Sequence, residues 1–142
     1  MLALSTLAIL IELDVSECAG VTDDSIALIA GIKNLTKLNL YNTAVGDARW
    51  DELSKLPKLT WLNVDKTSVS DASLGGLGKL TSLTFLHLGS TQITDAGLGD
   101  LASLVNLKKL IVTRTKVTAA GVESLKYQLP ETEIQLEYVA HK

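Results

Sequence analysis

Leu35, Leu59, Leu83 and Leu107 stand 24 residues apart, and aligning the chain on them brings most of its other residues into register. The aligned segments read L-T-K-L-N-L-Y-N-T-A-V, L-T-W-L-N-V-D-K-T-S-V, L-T-F-L-H-L-G-S-T-Q-I and L-K-K-L-I-V-T-R-T-K-V, followed by G-D-A, S-D-A, T-D-A and T-A-A. A fixed period of this length confines the chain to an array of small units with a shared core, because one strand-and-helix unit cannot bury its own apolar face. An earlier copy from Leu10, L-I-E-L-D-V-S-E-C-A-G-V-T-D, carries one additional residue before Val21. A partial last copy from Glu131 keeps Ile134 and Leu136 at the places of Leu110 and Val112. The single domain, 1–142, thus divides into repeats 10–34, 35–58, 59–82, 83–106 and 107–130. Residues 1–9 are the helical half of an incomplete copy, and 131–142 a closing strand and tail.

Within each copy L-x-L has period two, so Leu38/Leu40, Leu62/Val64, Leu86/Leu88 and Leu110/Val112 face one side of a short strand. After the threonine, Leu98, Leu101 and Leu104 follow at three-residue spacing, which suits a short helix or a turn tending to 3₁₀, with Ser70, Thr94 and Thr118 as N-caps.

The pattern L-x-x-L-x-L-x-x-T-x-V/I resembles the leucine-rich repeat, and its T-D-A-G-L tail is similar to the bacterial and F-box-associated branches of that family. The resemblance covers nearly the whole chain. It implies an α/β fold: a right-handed β-α superhelix with a parallel β-sheet on the concave face and short helices on the convex face. Cys18 stands where one subtype carries cysteine; Thr43, Thr67, Thr91 and Thr115 stand where many members have asparagine. We expect this column to be buried, with each threonine hydroxyl bonded to the backbone of an adjacent coil.

A second column holds Asp23, Asp47, Asp71 and Asp95. An acid in the first turn of a helix is favoured by the dipole and the unpaired amides, and no copy supplies the alternating oxygen ligands of a calcium loop. Trp50 shares the core column of Ile26, Leu74, Leu98 and Val122 and reads as an oversized core residue. The S-L-G-G-L-G-K run has Ser73 for the first glycine of a phosphate loop and Leu80 for its final hydroxyl residue, so it fails as one.

Bulk properties narrow the function. A formal charge of −3 without any basic run offers no footprint for nucleic acid or for an anionic membrane. The apolar opening Met1–Ile11 lacks a positively charged start and is too short to span a bilayer. One cysteine excludes an internal disulfide and a thiolate metal site. These features favour the cytoplasm, with secretion the expectation if the chain is part of a longer effector or surface protein.

With the leucines committed to the core, information about a partner lies in the outward strand positions. Before the central leucine the column runs Glu12, Lys37, Trp61, Phe85, Lys109, Glu133; after it, Asp14, Asn39, Asn63, His87, Ile111, Gln135; then Ser16, Tyr41, Asp65, Gly89, Thr113, Glu137. The chain has one Phe, two Trp and three Tyr, and three of these six land on this face. Aromatic anchors in a polar rim are what a protein-binding hot spot requires. The expected contact residues are Tyr41, Trp61, Phe85 and His87, tuned by Asn39, Asn63 and Lys109. The expected partner is a protein or peptide, with no cofactor, no metal and no catalytic residue. A structural segment of a longer solenoid and a carbohydrate face stacked on Trp61 are the alternatives. His87 with Asp65 is the one acid–base pairing the columns offer, and no nucleophile with its orienter accompanies it.

At the beginning of the chain Met1, Leu4, Leu7 and Leu10 repeat the spacing of Ile26, Ile29, Ile32 and Leu35 without a polar cap. We expect that edge to meet upstream repeats, a partner or a second copy of the chain. The other edge carries Glu133, Gln135 and Glu137 outward, which deters edge pairing.

Overall fold

The computed structural model describes residues 10–137. The helical half-copy expected over 1–9 and the tail from Tyr138 lie outside the described residues. Six three-residue strands, β1 (Glu12–Asp14), β2 (Lys37–Asn39), β3 (Trp61–Asn63), β4 (Phe85–His87), β5 (Lys109–Ile111) and β6 (Glu133–Gln135), form one parallel sheet in chain order. The register is that of the alignment: Leu38 pairs with Leu62, Leu62 with Leu86, Leu86 with Leu110. Helices α1 (Asp23–Ile29), α2 (Asp71–Leu77) and α3 (Ala119–Gln128) alternate with 3₁₀ helices over Trp50–Lys55 and Asp95–Leu101 on the convex side. These are the short helical segments expected from the three-residue leucine spacing.

Strands β1 to β5 each stop after three residues for a local reason. The residue three positions past the strand's end takes a left-handed conformation at Glu17, Asn42, Lys66, Ser90 and Arg114, with φ of 63°, 53°, 59°, 51° and 55°. Such a residue turns the backbone off the sheet and into the coil. Its N–H stays satisfied by the neighbouring coil: Asn42 donates to the Asp65 carbonyl and Lys66 to that of Gly89, both at 3.0 Å.

This turn reassigns the threonine column. Thr43, Thr67, Thr91 and Thr115 donate their hydroxyls to the carbonyls of Leu40, Val64, Leu88 and Val112, three residues back in the same coil, at 2.6–2.8 Å. The expected bond to an adjacent coil is therefore wrong, because the left-handed residue folds each threonine back over its own strand. Hydroxyls do cross between coils, but from a different column: Thr36, Thr60 and Thr84 Oγ1 donate to the carbonyls of Ile11, Thr36 and Thr60. Cys18 is also a correction. It is exposed rather than buried: its coil is the first of the described ones, and its turn meets a described neighbouring turn on one side only.

The aspartates also bond from coil to coil. Asp71 accepts from the Thr94 N–H at 2.8 Å and from its hydroxyl at 2.5 Å. Asp95 accepts from Thr118 N–H and hydroxyl, and Asp47 from Ser70 N–H and from the hydroxyls of Ser70 and Ser73. Hydrogen bonds from the Thr118 side chain and backbone hold the Asp95 carboxyl below its ordinary range. At Asp47 burial pushes the other way, and the bonds from Ser73 and Ser70 outweigh it. The predicted N-caps also form: Ser70, Thr94 and Thr118 oxygens accept from the N–H groups of Ala72, Ala96 and Gly121. One hydroxyl thus caps its own helix while binding the carboxylate of the coil before it.

This geometry explains the glycine of T-D-A-G. A Cβ on Gly97 would stand 2.5 Å from Asp71 Oδ1, and one on Gly121 would collide with Asp95 Oδ1. Removing the carboxylate leaves the partly buried Thr94 N–H unpaired, which costs on the order of 1–3 kcal/mol. Asp71→Ala should therefore lower the unfolding free energy by about 2 kcal/mol in a urea titration, and Asp71→Asn, which keeps an acceptor, by less.

Between the sheet and the helices runs one leucine-rich core, with Leu38, Leu62, Leu86 and Leu110 at 0% exposure. Trp50 belongs to it, as expected, at 1% exposure, and its Nε1–H donates to the Gly46 carbonyl at 2.6 Å.

Candidate functional site

The outward residues of the six strands form the concave face. Its central row is Glu12, Lys37, Trp61, Phe85, Lys109, Glu133, each the Cα partner of the next. Trp61 and Phe85 lie flat against each other, ring centroids 5.0 Å apart and planes 6° from parallel. His87 meets Phe85 edge-on at 6.4 Å. Lys37 Nζ stands over the Trp61 ring, 6.0 Å from its centroid, and approaches Glu12 at 3.9 Å. Lys109 approaches Glu133 at 3.4 Å. The row is a palindrome of chemistry: acid, base, aromatic, aromatic, base, acid.

Parallel strand spacing alone brings Trp61 and Phe85 together, because the register leaves them directly opposite. With Phe85 on one ring face and Lys37 over it, Trp61 presents mainly its edge to solvent. A sugar could stack on it only by displacing one of the two. Tyr41 is half-buried on the coil next to Trp61, and among the described residues the ring contacts join Trp61, Phe85 and His87 without it.

The second row has a structural duty that the alignment did not reveal. Asp14, Asn39 and Asn63 Oδ1 accept the N–H of Ser16, Tyr41 and Asp65, two residues on, at 2.9–3.0 Å. His87 does the same through Nδ1, which accepts the Gly89 N–H at 3.1 Å. Short polar side chains that mimic a backbone turn suit the end of a three-residue strand. The carbonyl oxygens of Asn39 and Asn63 are therefore committed to the fold, and the Asn39 NH₂ donates to Asp14 Oδ2 at 3.4 Å. Gly89 makes room for the arrangement: a Cβ there would sit 2.6 Å from His87 Cε1 and 3.1 Å from Asp65 Oδ1.

With Nδ1 accepting, the neutral ring carries its proton on Nε2, which lies 4.0 Å from Asp65 Oδ2. That separation is too long for a hydrogen bond. Burial lowers the His87 pKa from the usual 6.5 and the Asp65 charge opposes it, with burial the larger influence. Protonation would also set an Nδ1–H against the Gly89 N–H. A group with a depressed folded pKa adds stability that is complete above its unfolded value and is lost as pH falls through the folded one. The protein should thus lose stability as pH drops below about 6.5. His87→Asn, which can keep the bond to Gly89 as Asn39 and Asn63 keep theirs, should flatten that pH dependence in urea titrations between pH 8 and 5.

Among the described residues no three His, Cys, Asp or Glu side chains gather into a metal-ion cluster, and no helix is long and apolar enough to cross a membrane. Around β1 to β3 the face dips into a concavity of about 350 Å³ lined by Glu12, Leu13, Asp14, Lys37, Asn39 and Trp61.

Comparison with known proteins identifies the architecture. The family model for a leucine-rich repeat matches residues 79–102. No curated protein matches the chain. Among solved structures, internalin C2 from Listeria monocytogenes superposes on 97% of this chain with a TM-score of 0.68 and 24% identity, and the chain spans 59% of it. A leucine-rich-repeat protein of Leptospira interrogans superposes on 96% of this chain with a TM-score of 0.67 and 18% identity, and the chain spans 40% of it. A plant peptide hormone receptor, solved in complex with the peptide RGF2, matches 79% of this chain at a TM-score of 0.55 and 16% identity; the chain spans 18% of it. The repeated L-x-x-L-x-L unit, the single parallel sheet with helices behind it and these likenesses agree on the fold, a leucine-rich-repeat solenoid.

Proposed function

We propose that the concave face is a protein- or peptide-binding surface with no catalytic role. Trp61 and Phe85 are its anchors, Tyr41 and His87 border them, and Asn39, Asn63 and Lys109 adjust the fit. The observation that carries this reading is the Trp61–Phe85 stack, partly exposed on the concave face and flanked in its row by Lys37 and Lys109, with Asn63 and His87 in the next row. Large rigid side chains fixed in place by their neighbours lose little entropy when a partner covers them. The likeness in fold to a plant peptide hormone receptor solved in complex with RGF2 is in keeping with a peptide partner. Catalysis has no support in the geometry, since His87 Nδ1 is committed to Gly89 and Asp65 stands out of hydrogen-bond reach of Nε2.

The test is affinity capture from the source cells with the wild-type chain, the Trp61→Ala/Phe85→Ala variant and a convex-side control, Val105→Ala. Val105 is 71% exposed and lies away from the strands. A partner retained by the wild type and the control but lost by the double variant supports the reading. Equal retention by all three overturns it.

A further inference from the structure

Resting on the reading of the concave face as a binding surface, we propose that its occupant is an extended polypeptide segment of another protein. That segment lies across the strands, with an apolar or aromatic residue at its centre and a basic residue three to four positions away on each side.

Direction and length follow from the sheet. Each strand is three residues long, so the face is only about 10 Å deep along the strands. Across them the six described strands run five interstrand steps of about 4.8 Å, or roughly 24 Å, which about seven extended residues would cross. An extended occupant gains contact only by crossing the strands.

The centre and ends follow from the row itself. Trp61 and Phe85 occupy the third and fourth of the six described strands, with Lys37 and Glu12 on one flank and Lys109 and Glu133 on the other. Trp61 has Phe85 on one face and Lys37 over the ring, so it presents its edge, which favours the π-face of an aromatic or an apolar side chain. On each flank one lysine pairs with one glutamate, Lys37 with Glu12 and Lys109 with Glu133, and a second acid follows in the outward columns, Asp14 on one flank and Glu137 on the other. The two lysine–glutamate pairs are exposed, with 66% and 71% of the glutamate side chains open to solvent, and such pairs exchange partners at little cost. Asp14 is held as an acceptor by Ser16 and Asn39. The concavity between Glu12, Asp14 and Trp61 suits a guanidinium or ammonium head that meets a carboxylate on one side and an aromatic ring on the other. Excess negative charge at both ends and an apolar centre select a partner of the opposite pattern.

The experiment is selection of random linear peptides displayed on phage against the immobilised full chain, run in parallel on the wild type, Glu12→Lys/Glu133→Lys and Trp61→Ala/Phe85→Ala. The wild type should enrich sequences with an apolar or aromatic centre and Lys or Arg on both flanks. The charge-reversed variant should enrich the same centre with acidic flanks, and the aromatic double variant should enrich neither. A selected peptide should bind Glu12→Gln/Glu133→Gln about tenfold more weakly, at about threefold per carboxylate, and more weakly still as salt rises. An apolar centre without basic flanks, or with acidic ones, overturns this inference and leaves the binding face standing. Peptides enriched equally by the wild type and the aromatic double variant, or none enriched at all, overturn both.

Discussion

Replacing Trp61 and Phe85 together by alanine should weaken partner binding by a hundredfold or more while leaving the domain folded. Hot-spot aromatic residues cost about 2 kcal/mol or more each on truncation, and about 1.4 kcal/mol is a tenfold change in affinity. Two adjacent anchors reach that figure even with partial overlap of their effects. The cost to folding is much smaller. Both rings are only half-buried, and their stacking is worth about 0.5–1.5 kcal/mol beyond the covered area. The variant should unfold in urea within about 1–2 kcal/mol of the wild type. Titration calorimetry with a selected peptide and a urea melt of the same preparation separate the two effects. A fall in affinity accompanied by a collapse of stability would mean that the pair's main duty is to hold the sheet.

Leu86→Ala should have the opposite profile, with a loss of about 3–5 kcal/mol in unfolding free energy, the range for a fully buried leucine truncated in a well-packed core. Leu86 has 0% exposure and lies between Leu62 and Leu110 in the middle of the leucine column. In a stack where each coil contacts only its neighbours, a cavity there weakens the coupling of the two halves. Both described tryptophans, Trp50 and Trp61, lie on the N-terminal side of Leu86, so fluorescence follows those coils while far-ultraviolet circular dichroism follows all of them. The two probes should give coincident transitions for the wild type and separate ones for Leu86→Ala. A loss below about 1 kcal/mol with coincident transitions would contradict a core shared from coil to coil.

The architecture was legible in the sequence wherever one residue type has one use. A leucine every 24 residues has no role except the core, so the strands, the register, Trp50 in the core and the Ser70, Thr94 and Thr118 caps could all be read from the alignment. Polar columns were harder, because a hydroxyl or carboxylate bonds to whatever the backbone brings near it. Thr67 turns back on Val64 because Lys66 has positive φ, and spacing does not show the sign of φ. Asp71 reaches Thr94 in the next coil because Gly97 has no Cβ. A signal was available there: Ser73, Gly97 and Gly121 are all small, and a column of small residues after an acid marks a space that something fills. Cys18 follows the alignment but is exposed, since its coil is the first of those described and alignment does not show which coil lies at an edge.

The face itself was partly legible. The outward columns place Trp61 beside Phe85, and the structure stacks them. The committed oxygens of Asn39 and Asn63 were not foreseen, because an asparagine at a strand end serves the turn as readily as a partner. Nor was Gly89, whose missing side chain lets His87 fold onto the backbone.

Trp61 also offers a direct measurement. Trp50→Phe keeps an aromatic ring in the core and, among the described residues, leaves Trp61 as the tryptophan that reports on the concave face. In this background a captured partner or selected peptide should shift the Trp61 emission, saturating with the same dissociation constant that calorimetry gives. Saturable binding with the Trp61 emission unmoved would place the partner elsewhere on the protein and contradict the assignment of the concave face.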